Sequence, residues 1–129
     1  MIQRFIELGE GYSDIYELLE LSRANKERLS KLFVFKTKFA GRDLSSFAIA
    51  LQPTNPGKFQ ALYICREGIP NNEETPNKRS ELFRELADEL DKNIISLEVK
   101  HSSVFGEKEL YFQHLIGILR MNKYIPPMQ

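Results

Sequence analysis

At 129 residues, 42% hydrophobic and 28% charged, the chain fits one domain burying roughly two thirds of its unfolded surface, without the aliphatic depletion of disordered chains. Eighteen Lys and Arg balance eighteen Asp and Glu, so no net field draws it to phosphodiester backbones or an anionic membrane, which disfavours nucleic acid as a partner. Cys65 is the only cysteine, which excludes an internal disulfide and any zinc site built mainly from thiolates.

The N-terminal MIQRFIELGEG has no apolar core of signal-peptide length, and runs such as LIGIL at 115–119 are too short to span a bilayer. The expected setting is the cytoplasm, with no membrane partner. Residues 2–8 read as a strand ending at Gly9. From Asp14 the period changes: Ile15, Leu18, Leu19 and Ser22 share one face, with Glu17, Glu20 and Arg23 turned to water, which predicts a helix over 14–24. Ser13 or Asp14 can cap its first turn, with Glu17 placed as in a capping box.

KLFVFKTKF is dense in aromatic and β-branched residues, GRDLS interrupts it, and SFAIALQP resumes, a hairpin pattern. TNPGK then turns the chain into KFQALYICRE, so three antiparallel strands occupy about 31–66. EGIPNNEETPNK reads as a loop. A second helix follows, with Thr75 as cap, Pro76 at its first position, and Leu82, Phe83, Leu86, Ala87 and Leu90 at helical spacing. NIISLEVKH alternates as a strand, Ile95, Leu97 and Val99 opposing Ser96, Glu98 and Lys100. A third helix spans about 108–123, with Leu110, Tyr111, Leu115, Ile118, Leu119 and Asn122 as its inner stripe. The order β-α-β-β-β-α-β-α describes a single α+β domain over 1–129, a sandwich whose helices pack on a largely antiparallel five-stranded sheet.

Three patterns invite a functional reading. Gly9, Glu10, Gly11, Ser13 and Asp14 lie between a strand and a helix, where phosphate loops form, and the loop 68–77 could supply the other lip of a ligand site. Asp14 stands where a dinucleotide fingerprint needs its third glycine, no Gly-Lys-Ser/Thr ending follows, and two carboxylates oppose an anion. A capped corner is the stronger reading. Lys31, Phe33 and Phe35 match places in the central RNP motif of RNA-recognition domains, but Leu32 replaces its glycine and Lys38 its last aromatic, so a buried hairpin explains the rings better. Cys65 and His101 could form a dyad only if their strands end side by side. His101 and His114 have no carboxylate at ligand spacing, so neither a metal nor a cofactor is expected.

Phe112, Ile116 and Met121 fall outside the third helix's inner stripe and suggest a second apolar face, a surface for a protein partner or another copy of the chain. Over most of its length, and especially in IQRFIELGEGYSDIYELLEL and NKRSELFRELADEL, the chain resembles the small uncharacterised proteins of Bacillus-like Firmicutes. That resemblance implies a bacterial cytoplasmic protein of unknown function and carries over no site residue. The leading expectation is a non-catalytic protein acting by association. A small-ligand or anion-binding module is the alternative, ahead of RNA binding or a cysteine-dependent enzyme.

Overall fold

The computed structural model describes residues 2–9, 14–53, 59–66, 69–70 and 77–127. Strand β1 (Ile2–Glu7) leads to helix α1 (Asp14–Ala24), then β2 (Leu29–Phe39), β3 (Arg42–Leu51), β4 (Phe59–Ile64) and the two-residue β5 (Ile69–Pro70). Helix α2 (Lys78–Glu89), β6 (Ile94–Glu98), a 3-10 turn (Ser102–Val104) and α3 (Lys108–Met121) complete the order.

The main strands lie in the order β1-β4-β3-β2-β6, with β5 beside the start of β3. The sheet is mixed rather than largely antiparallel: β3 runs antiparallel to β2 and β4, but β1 is parallel to β4 and β6 is parallel to β2. The cause is connectivity. A helix between two strands returns the chain to its starting edge, so α1 and α2 deliver strands running the same way. Both crossovers step across the sheet in one direction with their helices on one face, and so share a handedness. In consequence β1, β4, β2 and β6 all end on the same side.

Two cores flank the sheet. On one face Leu18 of α1 and Leu86 of α2 pack over Leu32 and Ile49, and the Phe47 and Phe83 rings stack 4.8 Å apart at 7°. On the other, Leu115, Ile116 and Leu119 of α3 cover Phe5, Phe33, Phe35 and Leu62. Ala48 stands directly across from Phe33 in register, a small residue making room for a large one.

Local details depart from the sequence reading in four places. The β2–β3 turn is tighter than GRDLS implied: Ala40 and Gly41 both take positive φ, at 52° and 76°, the signature of a two-residue hairpin, so β3 begins at Arg42. Helix α2 starts at Lys78, capped by Asn77, whose Oδ1 accepts the Ser80 amide at 2.9 Å; Thr75 and Pro76, expected to begin it, lie outside the described residues. Part of the expected loop forms β5, which pairs with Leu44 and Ser45. The buried stripe of α3 is Tyr111, Phe112, Leu115, Ile116 and Leu119, so it is rotated from the expected one towards the larger Phe112 ring, and Leu110 is turned out.

Candidate functional site

The ends of β1 and β4 carry the first candidate. The parallel ladder extends one residue past β1, Leu8 N–H donating to the Ile64 carbonyl at 2.9 Å, and Gly9 then turns with φ 35°. Asp14 is fully buried: its Oδ1 accepts the Ile15 amide at 2.7 Å and its Oδ2 the Arg66 amide at 3.1 Å. Both carboxylate oxygens are thus spent joining the start of α1 to the end of β4. Glu10, Gly11 and Ser13 lie outside the described residues, as do 68 and 71–76 of the second lip.

Cys65 sits beside Asp14. Burial is the main force pushing its thiol far above the ordinary cysteine range, Asp14 and Glu17 add to that push, and Arg79 opposes it. A thiol held protonated is a poor nucleophile. His101 is elsewhere. The Cys65 amide bonds the Phe47 carbonyl, whereas His101 stacks on Phe39, which pairs with Arg42. Phe47 and Arg42 are five positions apart on β3, roughly 16 Å of strand. The condition for a Cys65–His101 dyad, strands ending side by side, is therefore not met. Among the described residues no group of three or more His, Cys, Asp or Glu could hold a metal ion. Phe33 and Phe35, the supposed base-stacking rings, are sealed beneath α3.

A concavity lies at the ends of β2 and β6, where a cavity of about 650 Å³ opens beside the β2–β3 hairpin. Its origin is a mismatch in strand length. The β2–β6 ladder stops where the Val99 amide donates to the Lys36 carbonyl at 2.9 Å, while β2 continues to Phe39. By ladder alternation the N–H and C=O of Lys38 face the same side as those of Lys36, and among the described residues they meet no partner. A cavity at a strand edge is bordered by side chains of both sheet faces. Lys36, Lys38 and Glu98 come from one face; Thr37, Phe39, Val99 and the His101 ring stacked on Phe39 come from the other, and Lys100 follows the end of β6.

The ring pair is held in place from both sides. Phe39 and the His101 imidazole stack 4.1 Å apart at 11°, and Phe39 is still 45% exposed. His101 caps the 3-10 turn, its Nδ1 accepting the Ser103 amide at 3.1 Å and lying 2.9 Å from the Ser103 hydroxyl. Asp43 has Lys38 at 3.8 Å, and Glu98 stands across from Lys36 in register. The Lys100 ammonium has no acidic partner among the described residues; its backbone amide donates to Nε2 of His114 at 3.4 Å. Thr37 is 8% exposed, and its hydroxyl is buried with no hydrogen-bond partner among the described residues.

On α3 the three expected interface residues separate. Phe112 and Ile116 are buried against the sheet, because they point to the same side as Leu115 and Leu119, and only Met121 is outward, 84% exposed. Leu110 shares its outer line at 51%, with Gly117 between them. No helix among the described residues is long and apolar enough to cross a membrane.

The family profile described as a domain of unknown function, DUF7147, matches residues 1–125, nearly the whole chain. The chain belongs to the DUF7147 family. No curated protein and no solved structure matches it. For this DUF7147 chain the site must therefore be read from its own residues. The cleft was missed in the sequence because its walls, KTKF and LEVKH, are far apart in the chain. Each carries the same local signal, a lysine alternating with a ring or apolar residue at a strand end.

Proposed function

We propose that the chain is a non-catalytic binding module of the bacterial cytoplasm whose ligand site is the cleft at the ends of β2 and β6. The observation that carries this reading is the 650 Å³ cavity itself, of small-ligand size and walled by a fixed ring stack and three lysines. The inaccessible, protonated Cys65 thiol and its separation from His101 favour binding over chemistry. A fragment set of mixed charge titrated into ¹⁵N-labelled protein tests it. The expected result is amide shifts clustered at 36–44 and 98–104. Shifts confined to the Asp14 and Arg66 end, or none with any fragment, would overturn it.

Association with another copy is the second reading, supported by Met121 and Leu110 on the outer line of α3. Sedimentation equilibrium decides it: self-association that Met121→Asp abolishes supports this surface, and a concentration-independent monomer removes it.

A further inference from the structure

Resting on that cleft reading, we propose that the ligand is a small aromatic anion, its ring on the Phe39–His101 stack and its phosphate or carboxylate between Lys38 and Lys100. Charge decides the sign of the ligand. Three lysines, Lys36, Lys38 and Lys100, face two carboxylates, Asp43 and Glu98, in the cavity lining, so positive charge is in excess there, and Asp43 already lies 3.8 Å from Lys38. Lys100, which lines the same cavity just beyond the end of β6, is left as an ammonium without an acidic partner among the described residues. The excess of ammonium groups over carboxylates favours an anion over a cation, and Lys100 is the ammonium such an anion meets directly.

Backbone geometry adds a second donor. Where β6 ends, the Lys38 N–H is turned to the vacated side, close in the chain to its own ammonium. Amide and ammonium together form the donor set that oxyanions favour.

The rings decide the shape of the ligand. Phe39 keeps nearly half of its surface exposed although His101 already covers one of its sides, so a flat apolar surface is offered to the solvent. The Ser103 contacts fix the imidazole and hairpin pairing fixes Phe39, so the platform costs little ordering on binding. A bare inorganic anion would use the lysines and leave the platform idle, and a neutral ring would do the reverse.

Calorimetric titration of the full chain with adenosine 5′-monophosphate, 4-hydroxybenzoate, adenosine, benzamidine and inorganic phosphate separates these contributions. At least one aromatic anion is expected to bind roughly tenfold or more tightly than either half-ligand, and to weaken as salt is raised. The first two arms show whether phosphate or carboxylate is preferred. Phe39→Ala and Lys100→Gln should each weaken that ligand about tenfold, with unfolding still cooperative in both and the thermal midpoint unchanged in Lys100→Gln. Adenosine binding as well as its monophosphate, or benzamidine binding better than 4-hydroxybenzoate, overturns the anion proposal while leaving the cleft as a binding site. No binding of either aromatic anion at millimolar concentration overturns it too, and the fragment titration then reports separately on the cleft. An aromatic anion that binds with equal affinity to both variants would show that its site lies elsewhere.

Discussion

Asp14 and Arg66, 52 positions apart, are joined by a hydrogen bond from the Arg66 amide to a buried carboxylate oxygen at 3.1 Å. The other oxygen takes the Ile15 amide, so one side chain fixes where α1 begins relative to the end of β4. Asp14→Ala should lower stability by about 3 kcal/mol, since two buried N–H groups lose a charged acceptor. Asp14→Asn should cost nearly as much, because an amide NH₂ cannot accept from Arg66. Urea unfolding measures both. A loss below about 0.5 kcal/mol for the alanine variant would refute the joint.

Gln3 is the hub of a second polar network. Its Nε2 donates to Gln60 Oε1 and the Pro126 carbonyl, both at 2.8 Å, and its Oε1 accepts Arg120 Nε at 2.6 Å. The chain after α3 is thereby tied to β1, with Ile125 buried beneath. Gln3→Ala should cost about 2 kcal/mol and accelerate amide exchange at Tyr124 and Ile125. Unchanged exchange there would mean that Ile125 alone holds this segment.

Cys65 should resist thiol reagents in the native protein and react promptly in concentrated urea, because its thiol is both inaccessible and held protonated. The same shift has a pH consequence. The folded value is raised, so above about 8.5 the unfolded chain loses the thiol proton while the folded chain keeps it. This contribution is fully present below about pH 8.5 and declines as pH rises through the alkaline range. Cys65→Ala should flatten that alkaline slope in urea midpoints.

His114 acts at the other end of the scale. Burial, then the Lys100 charge, lowers its value below the ordinary histidine range. The unfolded chain therefore takes up the proton first as pH falls below about 6.5, and stability from the neutral ring is lost on acidification. Protonation also turns Nε2 from an acceptor of the Lys100 amide into a donor. His114→Gln should flatten the loss of stability between about pH 6.5 and 5. An identical acid slope in the variant would exclude this role.

Gly117 offers a gain rather than a loss. A Cβ added there meets nothing within 4 Å, and the residue lies inside α3. Gly117→Ala should raise stability by about 0.5–1 kcal/mol through helix propensity alone. Destabilisation, read as a lower thermal midpoint, would mean that a partner occupies that space.

Periodicity, local composition and turn residues located the α-helices and main strands of the described residues, since each is a property of one segment. Alternation in NIISLEVKH placed Ile95, Leu97 and Val99 on the face that packs against α3. The helical spacing of Phe83, Leu86 and Ala87 likewise named the buried side of α2. Where two stripes competed on α3, local spacing was not enough. Phe112 and Ile116 looked spare beside Leu110 and Ile118, and the sheet's need to cover Phe33 and Phe35 turned the helix towards them.

What the chain's own order determined is a one-cysteine, charge-balanced α+β protein with the carboxylates of Glu10 and Asp14 between its first strand and first helix. Only the tertiary structure decided that β1 lies beside β4 and β6 beside β2, because pairing partners across a crossover depend on contacts between distant segments. That decision spent Asp14 on Arg66 and carried His101 away from Cys65. It also stopped β6 short of the β2 end, so that Lys38, Phe39, Lys100 and His101 border one cleft.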